Sequence, residues 1–160
     1  MDSAAGILAT VVATIVASGI ASLVAWVTCR RTLHAQERAE VRSRIDQLAA
    51  VAIEYPLLED DAFCCAWPEK GPYSTDQMRY DNYCCLVFNA LETAFDHFEG
   101  DAAALRRFVG VRELVWRHRR WWRAESVRAL NLAGYSDAKF TRFVDDELAS
   151  AERLEKEGKR

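Results

Sequence analysis

The segment from Arg112 to Arg123 mixes arginine and tryptophan around a single histidine, and these are the residue types of this chain best suited to bind a charged ligand. Between Arg106 and Arg128 there are eight arginines and two acidic residues, while the whole chain carries a net charge of −3. The local balance is +6, so the other residues sum to −9. A basic segment of this kind predicts contact with anionic lipid, nucleic acid or an acidic protein surface.

Three interpretations of this segment stay open. Headgroup binding is one, since tryptophan prefers the membrane interface and arginine pairs with anionic lipid. Arginine and tryptophan also bind phosphates and stacked bases, although we do not expect a nucleic-acid partner. We favour a structural role in which Trp116 and Trp122 anchor the core and the arginines pair with acidic residues at 59–61 and 145–147. The residues that would bind lipid or phosphate are Arg112, Arg117, Arg119, Arg120, Trp121 and Arg123.

Arg112 and His118 have the spacing R-x5-H, which resembles the short motif of the HEPN-type ribonucleases. The resemblance implies that His118 acts as general base or acid and that Arg112 stabilises the phosphate in the transition state. The position after the arginine, a polar residue in that family, is Glu113 here. The sequence lacks the glycine-rich phosphate loop, the G-x-S-x-G elbow and the H-E-x-x-H pair. We therefore favour a protein that is not an enzyme, with a membrane-tethered nuclease as the alternative.

The five cysteines are Cys29 and two adjacent pairs, Cys64 with Cys65 and Cys84 with Cys85. Four thiolates could bind zinc, but structural zinc sites use spacings such as C-x-x-C that let both sulfurs converge. Adjacent side chains on a helix instead diverge by about 100°. Small, buried and reduced thiols are the favoured interpretation. We therefore expect no disulfide, no bound metal and no other cofactor.

The element that would position all of these residues is the apolar stretch from Gly6 to Cys29, twenty-four residues without a charge. As a helix it would be about 36 Å long, enough to cross a hydrocarbon core of about 30 Å. A cleaved signal peptide is not expected, because the first three residues supply no basic group. The stretch predicts one transmembrane helix.

The flanking charges predict its orientation. Asp2 is the one charge before the stretch, whereas five arginines follow between Arg30 and Arg44. Lys and Arg near a span are retained in the cytoplasm. We therefore expect an inner-membrane, single-pass protein with its amino terminus outside and its body in the cytoplasm.

Small residues recur every four positions within the stretch. In lipid, such rows let two helices approach closely, and their packing drives association. They predict a homo-oligomer or assembly with another membrane protein, although membrane helices are in general rich in small residues. The predicted oligomerisation face is Gly6, Ala9, Thr10, Ala13, Thr14, Ala17, Ser18, Ala21, Ser22 and Ala25.

The rest of the chain is patterned for helices. An amphipathic helix continues from the stretch and ends before Pro56. Its apolar stripe packs on the domain or against a neighbouring copy, the former being favoured. Residues 57–72 are expected to be irregular or only briefly helical. Ser74 and Gln77 predict a capping box that begins a central helix ending near Gly100. The apolar face of this helix carries Tyr80, Tyr83, Cys84, Val87, Leu91, Phe95 and Phe98 at spacings of three and four.

Asp101 can cap a third helix that runs to about Val109, and Gly110 marks either a break or a weak point in a longer helix. The helical pattern continues toward Leu130 and ends near Gly134, and a last helix begins at Ser136.

Nothing alternates with period two for long enough to form a strand. The predicted fold class is all-α, with one N-terminal transmembrane helix followed by a four- or five-helix cytoplasmic bundle. The predicted divisions are 1–29 for the transmembrane segment, 30–55 for the juxtamembrane helix, 56–150 for the helical domain and 151–160 for a charged tail.

This layout resembles uncharacterised bacterial membrane-anchored helical proteins, grouped as a domain of unknown function. The similarity rests on Tyr83-Cys84 to Asn89-x-Leu91-Glu92, the Trp121-Trp122 pair and a closing helix from Tyr135 to Phe143. It implies a bacterial inner-membrane protein in complexes of the defence type and carries over no catalytic residue. The favoured function is therefore a membrane-anchored interaction or assembly module, with a nuclease or a lipid-headgroup sensor as alternatives.

Overall fold

The computed structural model describes residues 2–68, 72, 74–125, 127 and 138–158, and for residues 2–17 it describes the backbone alone. The secondary structure of the described residues is entirely helical, which confirms the all-α prediction. The chain divides into two compact units, Met1–Glu40 and Val41–Arg160. Each unit is described separately below.

The first unit belongs to one long helix, α1, which spans Asp2–Glu54. The uncharged stretch and the basic segment after it are continuous, as predicted. Large apolar side chains stay exposed along the unit, with Ile20 at 59%, Leu23 at 61%, Val24 at 59% and Trp26 at 58%.

The structure does not show the predicted transmembrane helix. Where side chains are described, no helix is both long enough and apolar enough to cross a membrane. Residues 6–17, the first half of the predicted span, lie outside the side chains that the structure describes.

In the second unit, the last part of α1 is followed by a 3-10 helix and six α-helices with described bounds. Pro56 ends α1, as predicted, and begins the 3-10 helix. The bounds are Pro56–Glu59 for the 3-10 helix, Asp61–Ala66 for α2, Thr75–His97 for α3, Ala102–Phe108 for α4, Val111–Arg117 for α5, Arg119–Arg123 for α6 and Ala138–Lys156 for α7.

The core forms around α3, the predicted central helix. Its predicted capping box is present: the Gln77 N–H donates to Ser74 Oγ at 3.2 Å and the Ser74 N–H donates to Gln77 Oε1 at 2.7 Å. Val41 and Leu48 of α1 are buried against this core. The stripe of the amphipathic helix therefore packs within the domain, as favoured. The buried residues of α3 recur at helical spacing and are Tyr80, Tyr83, Cys84, Val87, Phe88, Ala90, Leu91, Ala94 and Phe95.

A tight turn ends α3. Glu99 and Gly100 both have positive φ, 52° and 78°, and the Gly100 N–H donates to the Phe95 carbonyl at 2.9 Å. A side chain at Gly100 would be strained by this φ, because the left-handed region favours glycine. Asp101 then caps α4, as predicted, by accepting from the N–H groups of residues 103 and 104.

The prediction of four or five helices was too low, for local reasons. Gly110, one of the expected break points, separates α4 from α5. A further break at His118, which was not predicted, divides the helix expected after Gly110 into α5 and α6. Asp60 caps the short α2, in a region expected to be irregular or briefly helical. The predicted end near residues 130–134 and the predicted start at Ser136 lie outside the described residues. The last helix reaches Lys156 because Ala151 packs in the core, so the predicted charged tail is partly helical.

Candidate functional site

His118 is the most unusual polar residue of the second unit because its side chain is completely buried, at 0% exposure. It sits at the break between α5 and α6 with φ −95° and ψ 16°. The break is local, since the His118 N–H donates to the Leu114 carbonyl and its own carbonyl accepts from the Trp122 N–H. The imidazole therefore lies in the core while the N–H and the carbonyl of His118 keep their helical hydrogen bonds.

Two side chains face the two nitrogens of this ring. Nδ1 lies 3.0 Å from the hydroxyl of Tyr80 on α3, and Nε2 lies 3.5 Å from Glu59 Oε1 at the end of the 3-10 helix. We assign the tautomer in which Nδ1 accepts from Tyr80 and the proton resides on Nε2, facing the carboxylate. Each ring nitrogen therefore has a polar neighbour.

Glu59 is the centre of the charged part of the site. Tyr83 donates to its Oε1 and Arg117 donates to its Oε2, and Arg117 also donates from Nε to Asp61 Oδ1 at 3.1 Å. Burial opposes ionisation of Glu59, but the contacts with His118, Tyr83 and Arg117 outweigh it and lower the pKa to about 2. Glu59 is therefore an ionised carboxylate at neutral pH.

Two thiols border the same cluster. The Cys64 thiol donates to the Leu58 carbonyl at 3.3 Å and lies 4.0 Å from His118 Nδ1. Burial raises the pKa of Cys64 to about 11 and that of Cys84 well above its usual value. A nucleophilic cysteine has to be a thiolate near neutral pH, so Cys64 and His118 do not form a catalytic pair.

A cleft opens on the carboxylate side of the cluster. It has a volume of about 270 Å³ and lies between α1, the 3-10 helix, α3 and the start of α5. Its polar lining residues are Glu59 and Tyr83, and the others are apolar. The lining residues are Ile45, Leu48, Ala49, Ala52, Glu59, Tyr83, Val109 and Leu114.

The predicted nuclease residues, Arg112 and His118, face different partners. Arg112 faces Glu147 of α7, with Nε 3.6 Å from Oε2, whereas His118 faces Tyr80 and Glu59. The His118 side chain is fully buried, without a surface open to a ligand. The geometry gives the nuclease alternative no support.

The tryptophans of the basic segment are largely core residues. Trp121 and Trp122 are buried at 0% and 2% exposure, and their Nε1–H groups donate to Asp81 at 2.6 Å and to Asp145 at 3.0 Å. A tryptophan inside the core does not insert into a membrane interface. Trp122 is therefore a core anchor as expected, whereas the predicted anchor Trp116 is half-buried.

The predicted headgroup-binding arginines make contacts within the chain. Arg117 pairs with Glu59 and Asp61, as the favoured interpretation expected. Arg123 donates to Glu152 at 2.6 Å. Arg119 stacks on the Trp116 ring at 4.0 Å and donates to the Trp116 carbonyl, and Arg120 donates to the Cys65 carbonyl. These contacts favour the structural interpretation of the segment.

The remaining candidate residues are dispersed. Cys64 and Cys84 are buried, Cys65 is exposed and Cys85 is half-buried, all as free thiols. No group of three or more His, Cys, Asp or Glu among the described residues is placed to hold a metal ion. On the predicted oligomerisation face, Ser18, Ala21, Ser22 and Ala25 are exposed, while Gly6, Ala9, Thr10, Ala13, Thr14 and Ala17 lie outside the described side chains.

Sequence reasoning missed most of the His118 cluster. Tyr80 and Tyr83 were assigned to an apolar helix face, and Glu59 to an acidic run that would pair with arginine. The pairing with Arg117 is correct, but the convergence of a histidine and two tyrosines depends on contacts between residues distant in sequence. A histidine flanked by core tryptophan positions was the available signal for a buried ring.

A family model matches residues 3–160 of the chain and is described as "Family of unknown function (DUF6082)". This match confirms the predicted similarity to an uncharacterised family over most of the chain. No curated protein and no solved structure matches the chain.

Proposed function

Because the chain belongs to the DUF6082 family, whose function is unknown, we propose a role from its own geometry: a single-pass, membrane-anchored assembly module. In this proposal the first unit inserts into the bacterial inner membrane and self-associates there. The second unit faces the cytoplasm and contacts another protein. A setting in defence-type complexes stays a prediction from the resemblance.

The observation that carries the proposal is the exposure of the large apolar side chains of α1. Ile20, Leu23, Val24 and Trp26 are each more than half exposed. Leaving such groups in water is unfavourable by about 25 cal/mol for each Å² of apolar surface. A bilayer would cover them, and the uncharged stretch to which they belong is long enough to span it.

The end of the apolar stretch supports the same proposal. The Arg30 guanidinium lies 5.5 Å from the centre of the Trp26 ring. Tryptophan and arginine are enriched where a membrane helix leaves the hydrocarbon for the cytoplasmic interface. This pair would mark that boundary.

A membrane fractionation experiment tests the anchor. We expect the full chain to stay in the membrane pellet after alkaline carbonate extraction. Val16→Lys with Ile20→Lys should shift it to the supernatant, since two charges near the centre of the predicted span oppose insertion. Arg31→Lys with Arg38→Lys is the matched control and should stay in the pellet. Recovery of the unmodified chain in the supernatant would contradict the anchor.

Assembly is proposed through one face of α1. At 100° per residue, Ala21, Ala25, Thr28 and Thr32 project to one side, and they line a shallow groove along the helix. Leu23 projects to the other side. Small residues on one face favour close helix packing in lipid.

Cys29 gives a direct test of this face, because it is exposed and borders the same groove. Mild oxidation of native membranes should crosslink Cys29 between copies. Ala21→Leu with Ala25→Leu should reduce the crosslinked fraction several-fold, whereas Leu23→Ile with Val27→Ile, on the other side of the helix, should leave it unchanged. A crosslink that persists in Cys29→Ser would form through another thiol, such as the exposed Cys65. Equal crosslinking in both double variants would remove this face from the proposal.

A further inference from the structure

The cleft beside Glu59 combines an apolar wall with a single carboxylate. Six of its eight lining residues are aliphatic, and Glu59 and Tyr83 supply its polar atoms. Ligand sites commonly have this composition, a mostly apolar surface with a few polar groups that fix orientation. The cleft therefore suits a ligand with an apolar body and one polar end.

The charge around the carboxylate selects the sign of that polar end. Glu59 and Asp61 both contact Arg117, so two carboxylates face one guanidinium. Glu59, Asp61 and Arg117 together carry a formal charge of −1. A ligand with one positive charge would balance it, whereas an anion would be repelled.

Glu59 also has room for another donor. Its Oε1 accepts from Tyr83 and faces His118, and its Oε2 accepts from Arg117. A carboxylate offers about four acceptor positions, so one position on Oε2 is available. The Glu59 side chain is 22% exposed, which leaves it accessible from the cleft.

We propose that the cleft binds a small organic cation, an ammonium group carried on an apolar body, with about nine non-hydrogen atoms in all if each takes the volume of a water molecule. The ammonium donates to Glu59 Oε2 and lies beside the Tyr83 ring, which adds a cation–π attraction. The apolar body packs against Leu48, Ala52 and Leu114. This inference concerns the second unit alone and does not depend on the membrane anchor.

Three ligands of nearly equal size separate charge from apolar packing. We would titrate phenethylammonium, 2-phenylethanol and phenylacetate into the full chain in a neutral detergent at pH 7 and measure heat by calorimetry, with detergent alone as the blank. Phenethylammonium should bind one to one, and the alcohol should bind about tenfold more weakly, since it lacks a charge-assisted hydrogen bond. Phenylacetate should give no saturable binding.

Two variants test the location. Ala52→Leu adds three carbon atoms to the cleft wall and should abolish binding, while Ala50→Leu, on the exposed side of the same helix, should not change it. Glu59→Gln keeps the shape but removes the charge, and should reduce phenethylammonium binding to the level of the alcohol. Glu155→Gln, an exposed carboxylate on α7, is its control.

The variants must stay folded for these comparisons, which tryptophan fluorescence and the melting temperature report. If Glu59→Gln does not fold, Ala52→Leu and the ligand series decide the matter. Equal binding of all three ligands, retention of binding in Ala52→Leu, or no binding of phenethylammonium to the folded chain at 10 mM would each overturn the proposal. A cleft filled by another part of the chain or by a second copy would give the last of these results.

Discussion

The hydroxyl of Tyr80 lies 3.0 Å from Nδ1 of His118, between two residues that are both fully buried. This contact joins α3 to the break between α5 and α6. A buried imidazole nitrogen without a partner is costly, and the hydroxyl removes that cost. The core of the second unit thus contains a polar contact that specifies how its helices are arranged.

Tyr80→Phe should destabilise the second unit by about 1–3 kcal/mol, because it leaves Nδ1 of His118 buried without a partner. Denaturant unfolding of the full chain in detergent, followed by tryptophan fluorescence, measures this change. Tyr55→Phe removes a hydroxyl from a half-buried residue and should change stability by less than about 0.5 kcal/mol. Equal stability of the Tyr80 variant and the unmodified chain would show that the contact contributes nothing.

Glu59 should make the free energy of unfolding depend on pH in the acid range. Its pKa is about 2 in the folded chain against an ordinary value of 4.5, so the folded state favours the ionised form. The resulting stability is fully present above about pH 4.5 and is lost as the pH falls toward 2. We expect the free energy of unfolding to fall by about 2 kcal/mol over this window. This value is smaller than the full pKa shift would give, because solvent screens a partly exposed carboxylate.

Glu59→Gln tests this assignment, because a glutamine cannot titrate. Its unfolding free energy should change less than that of the unmodified chain between pH 4.5 and pH 2. The control Glu155→Gln should keep the original slope. If Glu59→Gln and the unmodified chain show the same slope, another carboxylate is responsible for the acid sensitivity.

The cysteines should divide into two classes by reactivity. Cys29 and Cys65 are exposed, whereas Cys64 and Cys84 are buried with raised pKa values. At pH 8 the buried pair stays protonated and should be alkylated at least tenfold more slowly by iodoacetamide. Mass spectrometry of the peptides reads this out, and unfolding in guanidinium should abolish the difference. Rapid alkylation of Cys64 in the folded chain would contradict its burial.

The sequence predicted what depends on local pattern. The capping box at Ser74, the cap at Asp101 and the stop at Pro56 were correct because each uses residues within a few positions of one another. The break at His118 was not predicted, since the helical pattern continues through it. The pairing of Arg117 with residues 59–61 was predicted from charge, but the tyrosines that complete the cluster were not, because burial of a polar tip depends on tertiary packing.

The same limit applies to Glu147, which lay in a run of three acidic residues expected to pair with arginine. The pairing is correct, but the run is not uniform: Asp146 is exposed, whereas Glu147 is 1% exposed. The spacing within α7 places Glu147 on the same face as Phe143 and Val144. Sequence reasoning grouped the three carboxylates by charge and so missed the one that is buried.

Substitutions around Glu147 should therefore be asymmetric. Arg106 donates from Nε to Glu147 Oε1 at 2.8 Å, and Arg112 lies 3.6 Å from Oε2. The arginine side chains are 46% and 35% exposed, while that of the carboxylate is 1% exposed. If Glu147 is replaced by Gln, both guanidinium groups can be solvated, so the cost should be about 1–2 kcal/mol. If Arg106 and Arg112 are both replaced by Met, a carboxylate remains buried without a countercharge, and the cost should reach about 3 kcal/mol or more.

The triple variant completes the comparison. Adding Glu147→Gln to the two arginine substitutions removes the stranded charge, so it should recover at least about 1 kcal/mol relative to the double variant. Asp146→Asn is the matched control, because this exposed neighbour should have no such effect in the same background. Denaturant unfolding of the unmodified chain and of the single, double and triple variants gives the free energy of unfolding of each. If Glu147→Gln destabilises the double variant further, Glu147 is stabilised by something other than these two arginines.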